Sequence, residues 1–401
     1  MSTENNAARP LDGIRVIEVG QLLAGPFAGT FLAYFGAEVI KVEPPGNGDP
    51  IRGWRILDEG GTSFWWRSLG RNKHSVTANL RSDAGRQIVR ELIGSADVVI
   101  ENFKPGTMEK WGLGPEVFAD NNPGLIYTRI SGYGQTGPYA LKPGYASVTE
   151  GFSGFRHVNG FPGDAPVRPN LSIGDTVSGL HAALGILLSL IGRSGSGSGQ
   201  VVDVALYESM FNLMEGVIPE FSGAGEVRQA SGTTITGIVP TNTYRCRDDK
   251  FVVIGGNGDS IFVRLMEAIG RPDIAHDPDC ADNRGRVIHE QMIDAAIEEW
   301  TTANTSTHII DTLEAADVPV GLIYSVEDMV RDPQYIARGM FERVEVPGGE
   351  MDIPAMSPRL SATPGYTTWA GGDVGANRNV VLSELGYSRE DIVRLAQNGD
   401  I

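Results

Sequence analysis

Residues 14–42, IRVIEVGQLLAGPFAGTFLAYFGAEVIKV, decide the fold. Ile14 to Val19 is a short run of β-branched and apolar residues, the pattern of a buried strand. A glycine-bearing turn from Gly20 to Pro26 follows, then an apolar helix over Phe27 to Phe35 and a second strand over Ala37 to Val42. Strand, crossover helix and strand make a βαβ unit, whose two strands run parallel. The pattern returns downstream: an amphipathic stretch, Asp83 to Ser95, leads into the strand Val98 to Glu101, and Leu125 to Ile130 supplies another. Such alternation predicts an α/β fold with a parallel, doubly wound, Rossmann-like sheet.

Thr176 to Ile191 carries Val177, Leu180, Leu184, Leu187, Leu188 and Ile191 at helical spacing with almost no charge, which predicts a buried helix. A Gly/Ser turn over Gly192 to Gly199, a strand over Gln200 to Ala205 and a helix over Leu206 to Val217 close this first domain. From about Ser222 the pattern changes. Tyr244 to Ile254 reads as a hairpin around Arg247 to Lys250, and helices follow at Ser260 to Ile269, His289 to Thr302 and Ser306 to Ala316. We therefore expect a large domain over residues 1–221 and 328–401, with a small α+β domain over 222–327 between its two parts. The last helix is opened by Ser388, with Asp391 placed to complete the cap.

With 41% apolar and 21% charged residues in 401, the chain has the composition of a folded globular protein. Its 50 acidic and 33 basic side chains give a formal charge of −17, which opposes binding to nucleic acid or to an anionic membrane. Cys246 and Cys280 are too few for a disulfide framework and lack metal-ligand spacing, so a reducing, cytoplasmic location is expected. Met1 to Arg9 lacks the basic and apolar regions of a signal peptide, and no apolar run is read as reaching the ~18 residues of a membrane span. The six histidines are scattered, so no metal site is expected.

The turn after the first strand, with Glu43 about twenty residues beyond it, has the outline of an NAD site. Its glycines are Gly20, Gly25 and Gly29, not the G-x-G-x-x-G spacing, and Pro26 stands where a pyrophosphate would need close backbone approach. That leaves a plain structural turn or a different nucleotide-bearing ligand.

Several segments decide between these: Leu22 to Pro26, Gly36 to Glu43, Arg71-Asn72-Lys73, Glu101 to Gly106, Gly132 to Pro138 and Gly174-Asp175. In this order and spacing, along essentially the whole chain, they resemble the class III CoA-transferases. The resemblance implies ring-shaped chains that interlock as a homodimer, coenzyme A as co-substrate with no tightly bound cofactor, and an acyl-CoA and a small carboxylic acid as partners. It implies that Asp175 is the catalytic nucleophile. It places Asn102, Lys110 and Lys142 at or beside CoA contacts and Gln21, Leu22, Leu23 and Ala24 on the first CoA-facing loop. Pro44 stands where formyl-CoA transferase has a CoA-contacting arginine, which makes Lys41, Arg71 and Lys73, with Asn72 between them, the candidates for the phosphates.

Asp175 follows a glycine and precedes the apolar helix, so we expect it at or near the N-cap, where unpaired N–H groups favour the anion. The resemblance then implies an acyl-aspartyl anhydride and an aspartyl-CoA thioester in turn. The intermediates hydrolyse readily, so water must be kept out, and Gly255 to Gly258 is a candidate cover. Three other readings compete with this one. A 2-methylacyl-CoA racemase needs an acid where this chain has Gly144-Tyr145-Ala146, an NAD oxidoreductase lacks its glycine spacing, and a non-catalytic CoA-binding protein would not need Asp175. The segment Gly144 to Pro162 is similar to family members that use succinyl-CoA with C4 or C5 dicarboxylates such as malate, citramalate, mesaconate or itaconate. Arg52, Arg55, Arg67, Arg156 and Arg168 are the candidate partners for a second carboxylate.

Overall fold

The computed structural model describes residues 8–401, so most of the Met1–Arg9 segment lies outside the described residues. The chain divides into two units, residues 1–155, 169–215 and 334–401 in the first and 156–168 and 216–333 in the second. The expected boundary at 221/222 falls inside the helix Val217–Ala224, and the one at 327/328 inside the short helix Val326–Met329. The observed edges of the units lie instead at 215/216 and at 333/334.

In the first unit the strands are β1 (Arg15–Glu18), β2 (Glu38–Glu43), β3 (Lys73–Thr77), β4 (Val98–Glu101), β5 (Ile126–Ser131) and β6 (Val201–Ala205). They form one parallel sheet in the order β3-β2-β1-β4-β5-β6. Successive side chains leave opposite faces of a strand, so the apolar pairs Val16/Ile17, Val39/Ile40 and Val98/Val99 feed two cores. One core is covered by α1 (Ala24–Tyr34) and, through Ala182, Ala183 and Ile186, by a long helix described below. The other is covered by the helix Asp83–Gly94 and by the C-terminal helices Arg378–Glu384 and Arg389–Gln397. Here α2 denotes Phe64–Leu69, and Asp83–Gly94 is α3. Residues 334–401 belong to the first unit, and Ser388 and Asp391 form a reciprocal capping box.

Beyond β4 come the single turn α4 (Thr107–Lys110), α5 (Ala146–Phe152), the long helix α6 (Ile173–Ser196) and α7 (Leu206–Phe211). Helix α1 begins at Ala24, earlier than expected, because Pro26 sits in its first turn, where an N–H has no intrahelical acceptor. Helix α6 runs through Gly192 and Gly195 and ends only at Gly197, whose φ of 74° is the left-handed cap conformation. Its 24 residues are long and apolar enough for a membrane span by length and composition, contrary to the sequence reading. One face nevertheless packs against the sheet and α1. The expectation of an all-round buried helix is corrected too: Leu180, Leu184, Leu188 and Ile191 are 43%, 52%, 58% and 70% exposed.

The second unit has a three-stranded antiparallel sheet of β7 (Thr241–Arg245), β8 (Phe251–Gly255) and β9 (Val320–Leu322), with β8 central. Helices Asp259–Ala268, Glu290–Ala303 and Ser306–Ala315 bury Phe262, Leu265, Ile293, Ile297, Ile309 and Leu313 against it. This unit is an α+β arrangement.

Candidate active site

A doubly wound sheet binds ligands beyond the carboxyl ends of its strands, where the strand order reverses. Here that place lies between β1 and β4. A cavity of about 350 Å³ occupies it, lined by Gln21, Leu22 and Ala24 from the loop after β1 and by Asn102, Phe103, Lys104 and Pro105 from the loop after β4. The end of β5 adds Ile130, Ser131 and Gly132. Lys142 to Tyr145 and Asp175 complete the wall.

The two loops are stitched together. Asn102 Oδ1 accepts the Gln21 N–H at 2.7 Å, and its Nδ2 donates to the Gln21 carbonyl at 2.7 Å. Gly20 has to be a glycine here, since a Cβ would lie 2.7 Å from Asn102 Oδ1. Beneath Asn102, Glu101 accepts the Phe103 N–H at 2.7 Å and pairs with Arg129 at 2.8 Å. Burial raises the Glu101 pKa to about 7, against the opposing pull of Arg129.

Asp175 is half-buried in the first turn of α6, three residues after Ser172, which holds the N-cap position in its place. It still lies within the turn where the helix dipole favours an anion, typically by ~0.3–1 kcal/mol. The preceding residue explains the Gly-Asp pair. A Cβ on Gly174 would lie 3.1 Å from that of Ala146 and 3.3 Å from the Glu150 carboxylate, so glycine lets α5 approach the start of α6. The Gly174 N–H points at the buried Glu150 carboxylate, 3.4 Å away.

Of the residues singled out from the sequence, Gln21, Leu22, Ala24, Asn102, Lys142 and Asp175 meet in this one cavity. The Lys142 ammonium lies 3.4 Å from the centre of the Tyr139 ring. The others lie elsewhere. Leu23 is buried with Ile51, Trp66 and Leu69, and Lys110 is exposed at the end of α4, outside the cavity wall.

Lys41 and Lys73, expected to face phosphates, are instead buried beneath the first loop. Lys41 Nζ pairs with Asp49 at 2.9 Å and with Glu18 at 3.1 Å, and Lys73 pairs with Glu18 at 2.8 Å. Burial works against the Lys41 charge, but Asp49, Glu18 and Glu43 together outweigh it and hold the pKa above its usual value. For Lys73 burial prevails and the pKa falls to about 8. Arg71 is spent on Ser68, the Pro354 carbonyl at 2.6 Å and, at 3.8 Å, Glu342. Asn72 ties Tyr366 and Thr368 of the C-terminal segment to the sheet. Lysine and arginine pattern alone does not distinguish a ligand-binding cation from a buried counter-charge; the acids that neutralise these are remote in sequence.

Two further assignments change. Arg52 and Arg67 are buried in ion pairs with Glu43 and Asp58, at 2.7 and 2.6 Å, so neither is open to a substrate carboxylate. Arg55 stacks on Trp65, and Arg156 and Arg168 belong to the second unit. Glu43, which an NAD site would offer to a ribose, accepts instead from Arg52, Ser75 and the Asp49 N–H. Lys104 was missed. It follows Asn102 in the same loop, so its signal was position just beyond a strand end at the switch point, and with Lys142 it is the basic lining of the cavity among the described residues.

An anion-tolerant pocket with a carboxylate in a helix first turn, at the switch point of this sheet, suits attack on a nucleotide-borne acyl group. A model of CoA-transferase family III matches residues 11–378. The chain belongs to that family. It is 45% identical over 389 residues to a succinyl-CoA–D-citramalate CoA-transferase of Chloroflexus aurantiacus, covering 96% of this chain and 97% of that protein. It is 40% identical over 390 residues to the alpha subunit of a succinyl-CoA–L-malate CoA-transferase of Chloroflexus aurantiacus, covering 96% and 91%. Among solved structures, a CAIB/BAIF family protein from Brucella suis superposes with a TM-score of 0.84 at 32% identity, over 94% of this chain and 100% of that one. This class III CoA-transferase is thus an enzyme that takes coenzyme A in as a thioester co-substrate.

Proposed function

We propose that this enzyme moves CoA from succinyl-CoA to a C4 or C5 dicarboxylate, with Asp175 as the nucleophile. The observation that carries the nucleophile is the cavity at the β1/β4 switch point, where Asp175 shares one wall with Gln21, Asn102 and Lys142. The substrate class leans on the citramalate- and malate-using relatives.

In the proposed cycle a carboxylate oxygen of Asp175 attacks the thioester carbonyl. The C–S bond breaks, leaving a mixed anhydride and CoA thiolate. The thiolate attacks the aspartyl carbonyl, the donor leaves as succinate, and an aspartyl-CoA thioester remains. The acceptor carboxylate attacks that carbonyl and expels the thiolate, which then attacks the acceptor acyl carbon of the new anhydride. This forms the product thioester and regenerates Asp175. Lys104 and Lys142 offset the substrate's negative charge in a chain of net charge −17.

We further propose that the enzyme works in the cytoplasm as a homodimer of interlocked rings. The apolar stripe Leu180, Leu184, Leu188 and Ile191 on α6 supports a second copy as its cover. Denatured enzyme taken from a reaction with succinyl-CoA should carry a mass increase of one CoA on the peptide containing Asp175. A panel of free acids assayed with succinyl-, acetyl- and formyl-CoA identifies donor and acceptor; absence of exchange with every dicarboxylate would overturn the substrate assignment alone.

A further inference from the structure

We propose that Asp49 is a positioning residue that clamps the main chain of the first loop into its CoA-binding shape. Leu22 has a φ of 65°, the left-handed region that a branched side chain rarely occupies, so something must hold it there. Asp49 is wholly buried, and both its carboxylate oxygens lie 3.1 Å from the Leu22 nitrogen. Its Oδ1 also accepts the Ile51 N–H at 3.1 Å, and Lys41 Nζ lies 2.9 Å from Oδ2. Lys41 donates a further short hydrogen bond to the Gly20 carbonyl. One buried ion pair therefore grips the loop at Gly20 and Leu22, while Asn102 grips Gln21 between them.

The pair is itself anchored away from the cavity. The Asp49 N–H donates to Glu43 at 2.8 Å, Glu43 is held by two hydrogen bonds from Arg52 at 2.7 Å, and Lys41 shares Glu18 with Lys73. Capping the one-turn helix Pro50–Gly53 accounts for one bond from Asp49, to Ile51. It does not account for the bond across to Leu22, which lines the cavity with Gln21 and Ala24. Losing a buried charge-assisted hydrogen bond costs about tenfold or more in an equilibrium that depends on it.

The proposal rests on the reading that this loop faces CoA, and the two are separable. Asp49→Asn, Gln21→Ala and wild type are compared by calorimetric titration with CoA and by steady-state kinetics, with thermal unfolding as the check on folding. The clamp predicts that Asp49→Asn, if folded, binds CoA about tenfold more weakly. The KM for acyl-CoA rises with it, while the KM for the acceptor acid and kcat change little. If Gln21→Ala weakens CoA binding and folded Asp49→Asn does not, the clamp is wrong. If neither does, the assignment of the loop to CoA is wrong. Should Asp49→Asn fail to fold, amide exchange in the wild type decides: slow exchange at Leu22 supports the clamp, and exchange at the rate of an open loop overturns it.

Discussion

Asp175 and Asp49 are both carboxylates near the start of a helix, and their surroundings separate their roles. Asp49 is enclosed, with its oxygens occupied by Leu22, Ile51 and Lys41, so it can orient but not react. Asp175 is half-buried at a cavity wall. Asp175→Asn is expected to cut exchange by about a thousandfold or more, as loss of a nucleophile does, with an unfolding free energy within roughly 0.5 kcal/mol of wild type. Turnover and urea unfolding measure the two. Glu101 offers a pH test. Its folded pKa is raised to about 7, so between the unfolded value of ~4.3 and 7 the folded state holds the extra proton. The stabilisation is therefore complete below the unfolded value and lost as the pH rises through 7. Compared with Glu101→Gln, the wild type should lose roughly 3 kcal/mol of unfolding free energy between pH 4.5 and pH 8, read from urea titrations at each pH.

At the scale of elements, glycines set how closely α1 approaches its neighbours. A Cβ on Gly29 would fall 1.9 Å from Glu18 Oε2, the oxygen that Lys73 pairs with. Alanine is a better helix former than glycine by ~0.8–1 kcal/mol, yet the displaced ion pair outweighs that gain. Gly29→Ala is thus expected to destabilise the protein by about 1–3 kcal/mol in chemical denaturation, opposite in sign to the propensity forecast. Gly179 plays the same part between α1 and α6: its Cβ would lie 2.7 Å from the Ala24 carbonyl oxygen and 3.1 Å from Phe27 Cβ. Five of the six parallel strands, all but β3, and α3 were legible because apolar period and turn chemistry are local. The extent of α6 was not. Gly192 and Gly195 have the local signature of a turn, but the helix carries on to where Gly197 can take a positive φ. Arg193 within that stretch also pairs with Asp97 at 2.8 Å, a partner from before β4.

For the molecule as a whole, α6 serves two surfaces. Its small residues Gly179, Ala182 and Ala183 pack inward on α1 and the sheet, whereas Leu180, Leu184, Leu188 and Ile191 face out. If a second copy covers that face, Leu184→Glu with Leu188→Glu should convert a dimer to monomers in sedimentation experiments, because each change would bury an unpaired charge. A wild-type chain that sediments as a monomer would remove the basis of the dimer proposal. The sequence alone determined the parallel sheet except its edge strand β3, the helical crossovers and the family, since each rests on periodicity or on motif order along the chain. Only the tertiary structure decided which charges meet. Whether Lys41, Arg52 or Lys73 faces a ligand depends on acids that folding brings from other strands and loops, and burial makes each such pairing obligatory.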